Sequence, residues 1–357
     1  MATVMPDAAW KKTFRRQLKK WYAAHARDLP WRRTRDPYHI WISEVMLQQT
    51  QVSTVIPYFE KFTAAFPAIA DLAKADEEKV LRMWEGLGYY RRARQLHKAA
   101  KQIVELHDGV FPTVLDEVDA LPGVGRYTRG AVLSIAFDQR QPILEANTIR
   151  LHCRLLAYDV DPTTQKGQAP LWQFAEDVLP RTEIGLFNQA LMELGGAICT
   201  PKAPKCLICP VASICSTRAQ GLQESIPVAK KKMVYEDLAE TVVVVFKSKQ
   251  VLLRRCQEGE RWAGLWDFPR FETNSRKDSD QKQVLELTGI NSNVGDTLAT
   301  LKHGVTKYRI TLTCRTAAFV SGRLKRGAEL AWVRKDELDG YPLSVTGRKV
   351  AKLILKD

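Results

Sequence analysis

Four cysteines within one 17-residue stretch have the spacing of ligands to an inorganic group. They are Cys199, Cys206, Cys209 and Cys215, in the pattern C-x6-C-x2-C-x5-C. Four thiolates of this kind hold iron–sulfur clusters. A zinc site is the alternative, although four-thiolate zinc sites usually combine two separated C-x2-C pairs, and one such pair occurs here. A disulfide is less favoured, because nothing marks the chain as secreted.

A carboxylate in an apolar segment is the first candidate for acid–base chemistry. Glu44 is the one charged residue of Trp41–Gln49. If this segment is a helix that lines a cleft, apolar neighbours would raise the pKa of Glu44 and make it a proton donor. Helical spacing would place Gln48 and Gln51 on the same face. The alternative is an ordinary solvated glutamate.

A second carboxylate, Glu145, lies in Ile143–Asn147, and the amide of Asn147 follows two residues later. Cleavage of a glycosidic bond uses two carboxylates, one that donates a proton and one that faces the sugar cation. The sequence supplies both groups but does not place them together.

A glycine-containing turn, Leu121–Tyr127, precedes a run of small residues, Thr128–Ala136, that predicts a helix. Gly123 and Gly125 allow positive φ and a close approach of the backbone to a partner. N–H groups at the start of the helix can bind a phosphate. This is the helix–hairpin–helix pattern, which binds the DNA backbone without reading the sequence. A plain helix–helix turn is the alternative.

The elements that must position these residues divide the chain into two parts. A length of 357 residues suggests about two domains. Residues 8 to about 200 have the periodicity of helices, and prolines such as Pro57 mark expected helix ends. A polar stretch at 217–238 predicts a linker. Beyond it, β-branched runs predict strands at Thr241–Phe246, Val251–Arg255 and Ile310–Val320.

The charge of the chain favours a polyanionic partner. The formal net charge is +14, and basic runs such as Arg91–Arg92 and Lys230–Lys232 occur in both parts. Solubility alone is the alternative explanation. No apolar run approaches the roughly 20 residues of a membrane span. The N-terminus lacks a secretory pattern. We therefore expect a cytoplasmic protein with no membrane partner.

Together these motifs resemble the MutY-type adenine DNA glycosylases of the endonuclease III (helix–hairpin–helix) superfamily, over nearly the whole chain. The resemblance rests on the four cysteines and on Leu29–Arg32, Trp41–Gln51, Trp84–Tyr90, Leu121–Gly130 and Phe187–Ala190. Beyond the linker, Trp262–Glu272 and Ala331–Leu343 are similar to the Nudix-like domain of that family, which reads the base opposite the target.

The resemblance implies a fold and a cofactor. We expect a mostly α helix–hairpin–helix glycosylase domain over residues 8–216, which includes a 4Fe–4S cluster loop at 199–215. A linker at 217–238 would join it to an α+β Nudix-like C-terminal domain over 239–357. In this family the cysteine quartet binds a 4Fe–4S cluster, so the resemblance favours that cofactor over zinc.

The resemblance also implies catalytic roles. Glu44 would protonate N7 of an adenine flipped out of the duplex, and Glu145 would face the sugar. Tyr127 would hydrogen-bond the catalytic carboxylates, and Asn147 would help to position the departing base or the water. Relatives that also cut the strand hold a lysine at the position of Tyr127. We therefore expect base removal alone.

Further positions match residues that bind the base or the duplex. The expected base-pocket residues are Trp31, Arg32 and Gln189. Gln49 and Tyr89 would wedge into the duplex near the opposite base. The remaining expected DNA contacts are Gln48, Gly123, Gly125, Val305, Thr306 and Lys307.

The chain departs from the family pattern in two places, and its C-terminal domain differs from true Nudix hydrolases in a third. Glu145 and Ala146 stand where the family has aspartate and glycine, and a misplacement of roughly 1 Å can cost on the order of a hundredfold in rate. Val305–Lys307 stands where the family has Phe-Ser-His, the residues that sense 8-oxoguanine. Asn274–Ile290 lacks the glutamate-rich metal helix of true Nudix hydrolases, so nucleotide hydrolysis is not expected.

The sequence thus predicts a monofunctional DNA glycosylase of base excision repair. It would hydrolyse the N-glycosidic bond of adenine mispaired with 8-oxoguanine or guanine in double-stranded DNA. We expect a monomer associated with a bacterial nucleoid. The departures leave two alternatives: a similar glycosylase with altered base-pair specificity, and a lesion-binding protein with impaired catalysis.

Overall fold

The computed structural model describes residues 5–228, 234–273 and 279–355. The basic run 230–232, inside the predicted linker 217–238, lies outside the described residues. The first five residues of the stretch that begins at Asn274 do so as well. None of the described helices is long and apolar enough to cross a lipid bilayer.

The N-terminal part of the chain consists of helices, as predicted. Several helices begin where the sequence supplies a cap. Asp7 accepts a hydrogen bond from the backbone of Trp10, and Asp36 accepts one from Tyr38. The helices are α1 Ala8–His25, α2 Pro37–Leu47, α3 Val52–Ala65, α4 Ile69–Lys74, α5 Glu77–Met83, α6 Arg91–His107, α7 Leu115–Asp119, α8 Arg126–Phe137, α9 Ala146–Leu156, α10 Gln165–Asp177, α11 Ile184–Ala197 and α12 Ser216–Ala219.

The C-terminal part is an α+β domain, also as predicted. The elements are β1 Glu236–Lys247, β2 Gln250–Arg255, β3 Trp266–Asp267, β4 Arg270–Glu272, α13 Ser279–Thr288, β5 Ile290–Val305, β6 Tyr308–Gly322, β7 Leu330–Arg334 and α14 Val345–Ile354. The sheet has the strand order β3-β2-β1-β6-β5, with β4 paired to β1 and β7 paired to β2. β1 and β6 run parallel, and the other pairs are antiparallel.

The valine run in β1 is explained by burial on both faces of the sheet. Val242 and Val244 pack in one core, and Val243 and Val245 pack in the other. α14 covers the first face through residues such as Val350, and α13 contributes to the second core.

A single large core holds α1, α9, α10 and α11 together. Phe14, Leu151, Phe174 and Leu191 are buried in it. The rings of Phe14 and Phe187 meet edge to face, with centroids 5.9 Å apart. This core fixes the start of α9 and the middle of α11, which carry candidate site residues.

The chain divides into two compact units whose limits differ from the predicted domains. One unit comprises residues 1–74 and 95–231, and the other comprises residues 75–94 and 232–357. The helix α5 and the following turn therefore form one compact body with the C-terminal sheet. The predicted domain limits at 216 and 239 stay a prediction.

Three local predictions were wrong. α2 ends at Leu47, so Gln48 and Gln51 do not continue the helical face of Glu44. Pro57 lies inside α3 and does not mark its end. Gly125 has φ −101°, so only Gly123 of this turn, at φ 78°, uses the left-handed region.

Candidate active site

One cavity of the helical unit collects most of the predicted site residues. Its volume is about 1140 Å³. The predicted residues that line it are Trp31, Arg32, Glu44, Gln48, Gln49, Tyr127, Glu145, Asn147 and Gln189. They come from five separate segments of the sequence, and the fold brings them to one surface.

Glu44 occupies a position suited to storing a proton. It lies on α2 and is 4% exposed. Burial raises its pKa to about 7, and the charge of Glu145 acts in the same direction. The Tyr127 hydroxyl donates to Glu44 Oε2 at 2.5 Å and, with the charge of Arg32, opposes that rise. The balance leaves Glu44 protonated in much of the population near neutral pH.

Tyr127 reaches Glu44 from α8. Its hydroxyl also lies 3.3 Å from the sulfur of Met192. Burial and the nearby carboxylates raise the pKa of Tyr127 well above its ordinary value. The phenol therefore stays neutral and acts as a hydrogen-bond donor.

Glu145 is held differently, because its side chain caps the helix that follows it. Its carboxylate accepts the backbone N–H groups of Asn147 at 2.8 Å and Thr148 at 3.0 Å. The Thr148 hydroxyl accepts the backbone N–H of Glu145 in return, which completes a capping box. The Asn147 amide donates a further bond at 3.2 Å. The added methylene is thus accommodated by folding the side chain back onto the start of α9.

The pKa of Glu145 reflects opposing effects. Burial raises it, whereas the N–H groups of Asn147 and Thr148 and the charge of Arg150 lower it. The net direction is upward from the ordinary value for glutamate. These donors nevertheless stabilise the ionised form of Glu145. The ionised form of Glu44 receives such a bond from the Tyr127 hydroxyl.

A further carboxylate near the site, Glu193 on α11, is buried and was missed in the sequence analysis. It is 1% exposed and accepts bonds from Arg27 at 2.5 and 3.0 Å and from Arg32 at 2.7 Å. Burial alone would raise its pKa, but the two arginines lower the pKa below its ordinary value. Glu193 therefore stays charged and holds Arg32 at the cavity wall.

Gln189 is oriented by a neighbour on α1. The Tyr22 hydroxyl donates to Gln189 Oε1 at 2.9 Å. The guanidinium of Arg32 lies 5.6 Å from the centre of the Tyr22 ring. Tyr22 thus contacts both Gln189 and Arg32 and helps to fix these two predicted base-pocket residues.

Three of the predicted DNA-contacting residues have left-handed backbones. Gln49 has φ 58°, Tyr89 has φ 48° and Thr306 has φ 51°. Residues other than glycine rarely adopt this region, and β-branched threonine does so least readily. Such strain is concentrated at functional sites. Tyr89 is also 51% exposed, which is unusual for so large an aromatic side chain.

Thr306 and Lys307 form the tip of the hairpin between β5 and β6. Val305 pairs with Tyr308, so the loop contains two residues. Lys307 Nζ donates to Glu236 Oε1 at 2.7 Å, and the Thr306 hydroxyl donates to the carbonyl of Val305 at 2.7 Å. The tip presents a hydroxyl and an ammonium group in place of an aromatic ring and an imidazole.

The helix–hairpin–helix turn needs one of its two glycines for steric reasons. A Cβ at Gly123 would lie 2.6 Å from the Cβ of Gln95. Gly125 has open space around it and precedes α8. The N-cap residue of α8 is Gly125, which has no side chain that could cap the helix, and the first N–H groups of α8 can therefore serve an anion such as a phosphate.

The four cysteines surround one small cavity of about 20 Å³. Burial, followed by the effects of the other three thiols, raises the pKa of Cys209 to about 12. Four thiolates can therefore share this loop only when bound positive charge offsets theirs, which suits an iron–sulfur cluster. As placed, no group of three or more His, Cys, Asp or Glu side chains within the described ranges could hold a single metal ion.

Helix α9 joins the cysteine loop to the cavity. Arg150 donates to the carbonyl of Cys199 at 2.7 Å and to Asn147 Oδ1 at 2.9 Å. Arg154 lies 3.5 Å from the sulfur of Cys199. The helix that begins just after Glu145 therefore also binds the cysteine loop, through Arg150 and Arg154.

Family comparisons agree with both parts of the fold. A family model described as HhH-GPD superfamily base excision DNA repair protein matches residues 42–177. A NUDIX domain model matches residues 241–353. The chain is 38% identical over 261 residues to the adenine DNA glycosylase of Buchnera aphidicola subsp. Schizaphis graminum, covering 73% of this chain and 75% of that one. The chain belongs to the adenine DNA glycosylase family.

Mammalian members of the adenine DNA glycosylase family are longer. The human enzyme is 38% identical over 294 residues, which cover 79% of this chain and 54% of the human one. The rat enzyme is 44% identical over 233 residues, 62% of this chain and 45% of the rat one. The chain thus spans about half the length of these mammalian relatives.

Solved structures support the helical fold. A thermostable thymine-DNA glycosylase matches with a TM-score of 0.55 and 30% identity, over 60% of this chain and all of that one. An endonuclease III–DNA complex matches with a TM-score of 0.51 and 20% identity, over 60% of this chain and 98% of that one. The helical unit of this chain therefore shares its fold with these two structures.

Proposed function

We propose that the protein is a monofunctional adenine DNA glycosylase of base excision repair. Its substrate is adenine mispaired with 8-oxoguanine or guanine in double-stranded DNA, and its product is an abasic site. The observation that carries the proposal is the buried Glu44 beside Tyr127, in the same cavity as Glu145, where burial raises the pKa of Glu44 to about 7. A neutral acid and a hydrogen-bonded carboxylate are the two groups that glycosidic hydrolysis requires.

The reaction assigns one step to each carboxyl group. The Glu44 proton passes to N7 of the flipped adenine, and the C1′–N9 bond breaks with its electron pair moving into the base. The Glu145 carboxylate stabilises the positive charge that develops at C1′. Water then adds to C1′ and releases a proton to a carboxylate of the cavity. Tyr127 cannot form a Schiff base, so the strand stays intact.

Base recognition is assigned to the wall formed by Trp31, Arg32 and Gln189. Glu193 and Tyr22 fix Arg32 and Gln189 before the base arrives, which reduces the entropic cost of binding. Gln49 and Tyr89 enter the duplex near the opposite base. The open start of α8 and the basic surface bind the phosphate backbone.

The proposed cofactor is a 4Fe–4S cluster held by Cys199, Cys206, Cys209 and Cys215. When bound, it would supply positive charge to the thiolates and fix the loop. The cavity that the four sulfurs share and the guanidinium of Arg154 support this assignment. Iron and sulfide in equal amounts in the purified protein would support it, and stoichiometric zinc without sulfide would contradict it.

Single-turnover assays on three duplexes test the function. Adenine is placed opposite 8-oxoguanine, guanine and cytosine, and abasic product is detected after alkali treatment. We expect product with 8-oxoguanine and guanine and little with cytosine. Tight binding of all three duplexes without product would instead support the lesion-binding alternative, for which the folded-back side chain of Glu145 is the argument.

A related candidate is a glycosylase whose preference for the opposite base differs from that of the family. The hairpin tip Val305–Lys307 favours it, because it lacks the aromatic ring and imidazole. The same assay separates the two, since equal rates opposite guanine and 8-oxoguanine would support the altered preference. The monomeric state and the nucleoid location stay predictions.

A further inference from the structure

The turn that carries Tyr89 belongs to the same compact unit as the C-terminal sheet. Residues 75–94 group with residues 232–357, although they lie inside the sequence range matched by the HhH-GPD family. The segment consists of α5 followed by Trp84–Tyr90, which we call the Tyr89 turn. Contacts made by the C-terminal part can therefore act on the segment that carries Tyr89, which is proposed to enter the duplex.

The Tyr89 turn has an unusual backbone. Gly86, Gly88 and Tyr89 have φ values of 104°, 73° and 48°. Internal bonds hold part of it, since the Trp84 indole donates to the carbonyl of Gly88 at 3.2 Å and Arg92 donates to the same carbonyl at 3.2 Å. Left-handed backbone at a non-glycine residue persists only where the surroundings enforce it.

The surroundings include a paired carboxylate at the base of the turn. Glu85 receives two bonds from Arg348, Nε to Oε1 at 2.6 Å and Nη2 to Oε2 at 3.0 Å. The side chains of Glu85 and Arg348 are 8% and 11% exposed. Arg348 and Glu85 thus form a bidentate guanidinium–carboxylate pair, which fixes their relative orientation as well as their distance.

Arg348 itself is fixed within the C-terminal part. Beyond Glu85, it donates to the carbonyls of Leu338 at 2.9 Å and Tyr341 at 2.6 Å, and to Asp339 Oδ1 at 2.9 Å. A guanidinium has five N–H donors, and each one here has an acceptor. Arg348 therefore joins Glu85 rigidly to the segment that precedes α14.

Two further bonds hold α5 against the C-terminal part. The Trp266 indole donates to Glu78 Oε1 at 2.8 Å, and Arg82 Nε donates to the carbonyl of Asp339 at 2.7 Å. These bonds keep α5 in place when the pair at Glu85 is altered. Loss of the pair should then release the turn more than the helix.

We propose that Arg348 positions the Tyr89 turn through Glu85, so that the C-terminal domain controls how Tyr89 enters the duplex. The proposal rests on the proposed function, because the role of Tyr89 at DNA comes from it. Arg348 is a positioning residue and touches no reacting atom. Neutralising Arg348 removes the two short bonds to Glu85 and leaves this buried carboxylate with longer contacts, from Arg82 at 3.3 Å and the backbone N–H of Leu343 at 3.4 Å, which loosens the turn.

The test uses the full chain and a duplex that carries 2-aminopurine next to the base opposite adenine. Its fluorescence reports stacking by an inserted side chain. For Arg348→Gln we expect Kd for the duplex to rise about tenfold and the fluorescence change to fall by about half. The single-turnover rate at saturating duplex should stay within about twofold of wild type. A uniform loss of folded protein would not produce this split.

Arg334→Gln is the matched control. Arg334 lies in the same part of the chain and is ion-paired with Asp336 at 3.2 Å and Glu337 at 3.3 Å, but its side chain is 57% exposed. It should behave as wild type. Glu85→Gln keeps the shape of the side chain and should reproduce the effect of Arg348→Gln. It also carries the test if Arg348→Gln fails to fold.

Combination with Tyr89→Ala decides whether the effect passes through Tyr89. In that background, Arg348→Gln should cause no further change in Kd or fluorescence. If Arg348→Gln weakened duplex binding equally in both backgrounds, the proposal would be overturned. Wild-type values of Kd and of the fluorescence change for both Arg348→Gln and Glu85→Gln would overturn it as well. A wild-type protein that binds the duplex and changes its fluorescence but removes no adenine would contradict the proposed function alone.

Discussion

The surroundings of the two catalytic carboxyl candidates differ, although both groups line one cavity. Glu44 lies in the middle of the apolar helix α2 and receives a hydrogen bond from the phenol of Tyr127. Glu145 precedes α9 and receives bonds from two backbone N–H groups and one amide. The surroundings of Glu44 exclude water and offer its carboxylate few hydrogen-bond donors, whereas the surroundings of Glu145 direct several donors at its negative charge.

This contrast shows how one cavity can hold a proton and a charge at the same pH. The pKa of Glu44 rises to about 7 because burial dominates. Burial also raises the pKa of Glu145, but its donors restrain the rise. The difference in roles follows from the position of each residue along its helix and does not require a difference in residue type.

Replacing Glu44 should have the largest effect on the proposed reaction. Glu44→Gln keeps the size of the side chain and cannot donate a carboxylic proton. We expect the single-turnover rate of adenine release to fall by about a thousandfold, within the range for general acid catalysis. Duplex binding, measured by anisotropy, should change little. A loss below tenfold would remove Glu44 from the acid role.

The same substitution should stabilise the fold above neutral pH. The unfolded chain releases the Glu44 proton near the ordinary glutamate pKa of 4.5, whereas the folded chain keeps it to about pH 7. Stability therefore falls as pH rises through this window. Glu44→Gln should raise the free energy of unfolding by on the order of 3 kcal/mol at pH 8. Denaturant unfolding at pH 4.5 is the control, because the two proteins should differ little there.

Restoring the shorter carboxylate tests whether the helix cap compensates for the extra methylene. Aspartate is a favoured capping residue, so Glu145→Asp should keep the start of α9 intact. We expect the single-turnover rate to rise by about tenfold or more, since a 1 Å error in placement can cost on the order of a hundredfold. A variant no faster than wild type would mean that the folded-back geometry already places the carboxylate correctly.

Removing the Tyr127 hydroxyl should shift the pH dependence of the reaction. With Glu44 as the acid, the rate should fall as pH rises through about 7. The bond from Tyr127 lowers the pKa of Glu44, so Tyr127→Phe should move this fall to higher pH. We expect a rate loss of about tenfold at low pH as well, because the acid loses its orientation. An unchanged pH profile would argue against coupling between the two groups.

Much of the site could be predicted because its residues occur in recognisable segments. Glu193 was missed because its partners, Arg27 and Arg32, are far away in the sequence, and only the fold brings them together. A signal was present, since an isolated acidic residue on the apolar helix α11 is the same feature that identified Glu44. Such residues in apolar helices merit attention even without a motif.

The errors in the fold can be traced to particular residues. β5 was not predicted, because its exposed polar residues and Gly295 hide the strand, and its register shifts between Val294 and Ala299. α2 ends at Leu47 without a glycine or proline to mark the end. The left-handed backbone of Gln49 shows that the chain turns there for tertiary reasons.

The left-handed residues Gln49, Tyr89 and Thr306 have a consequence for laboratory evolution. Each holds a conformation that costs about 1–3 kcal/mol. A library selected for heat resistance alone would therefore be enriched in glycine or asparagine at these positions. We expect the selected variants to have a higher melting temperature and, under the proposed function, a lower affinity for mismatched duplexes. Selection should accordingly alternate heat challenge with a mutation-rate reporter, so that gains in stability do not come from the residues that are proposed to contact DNA.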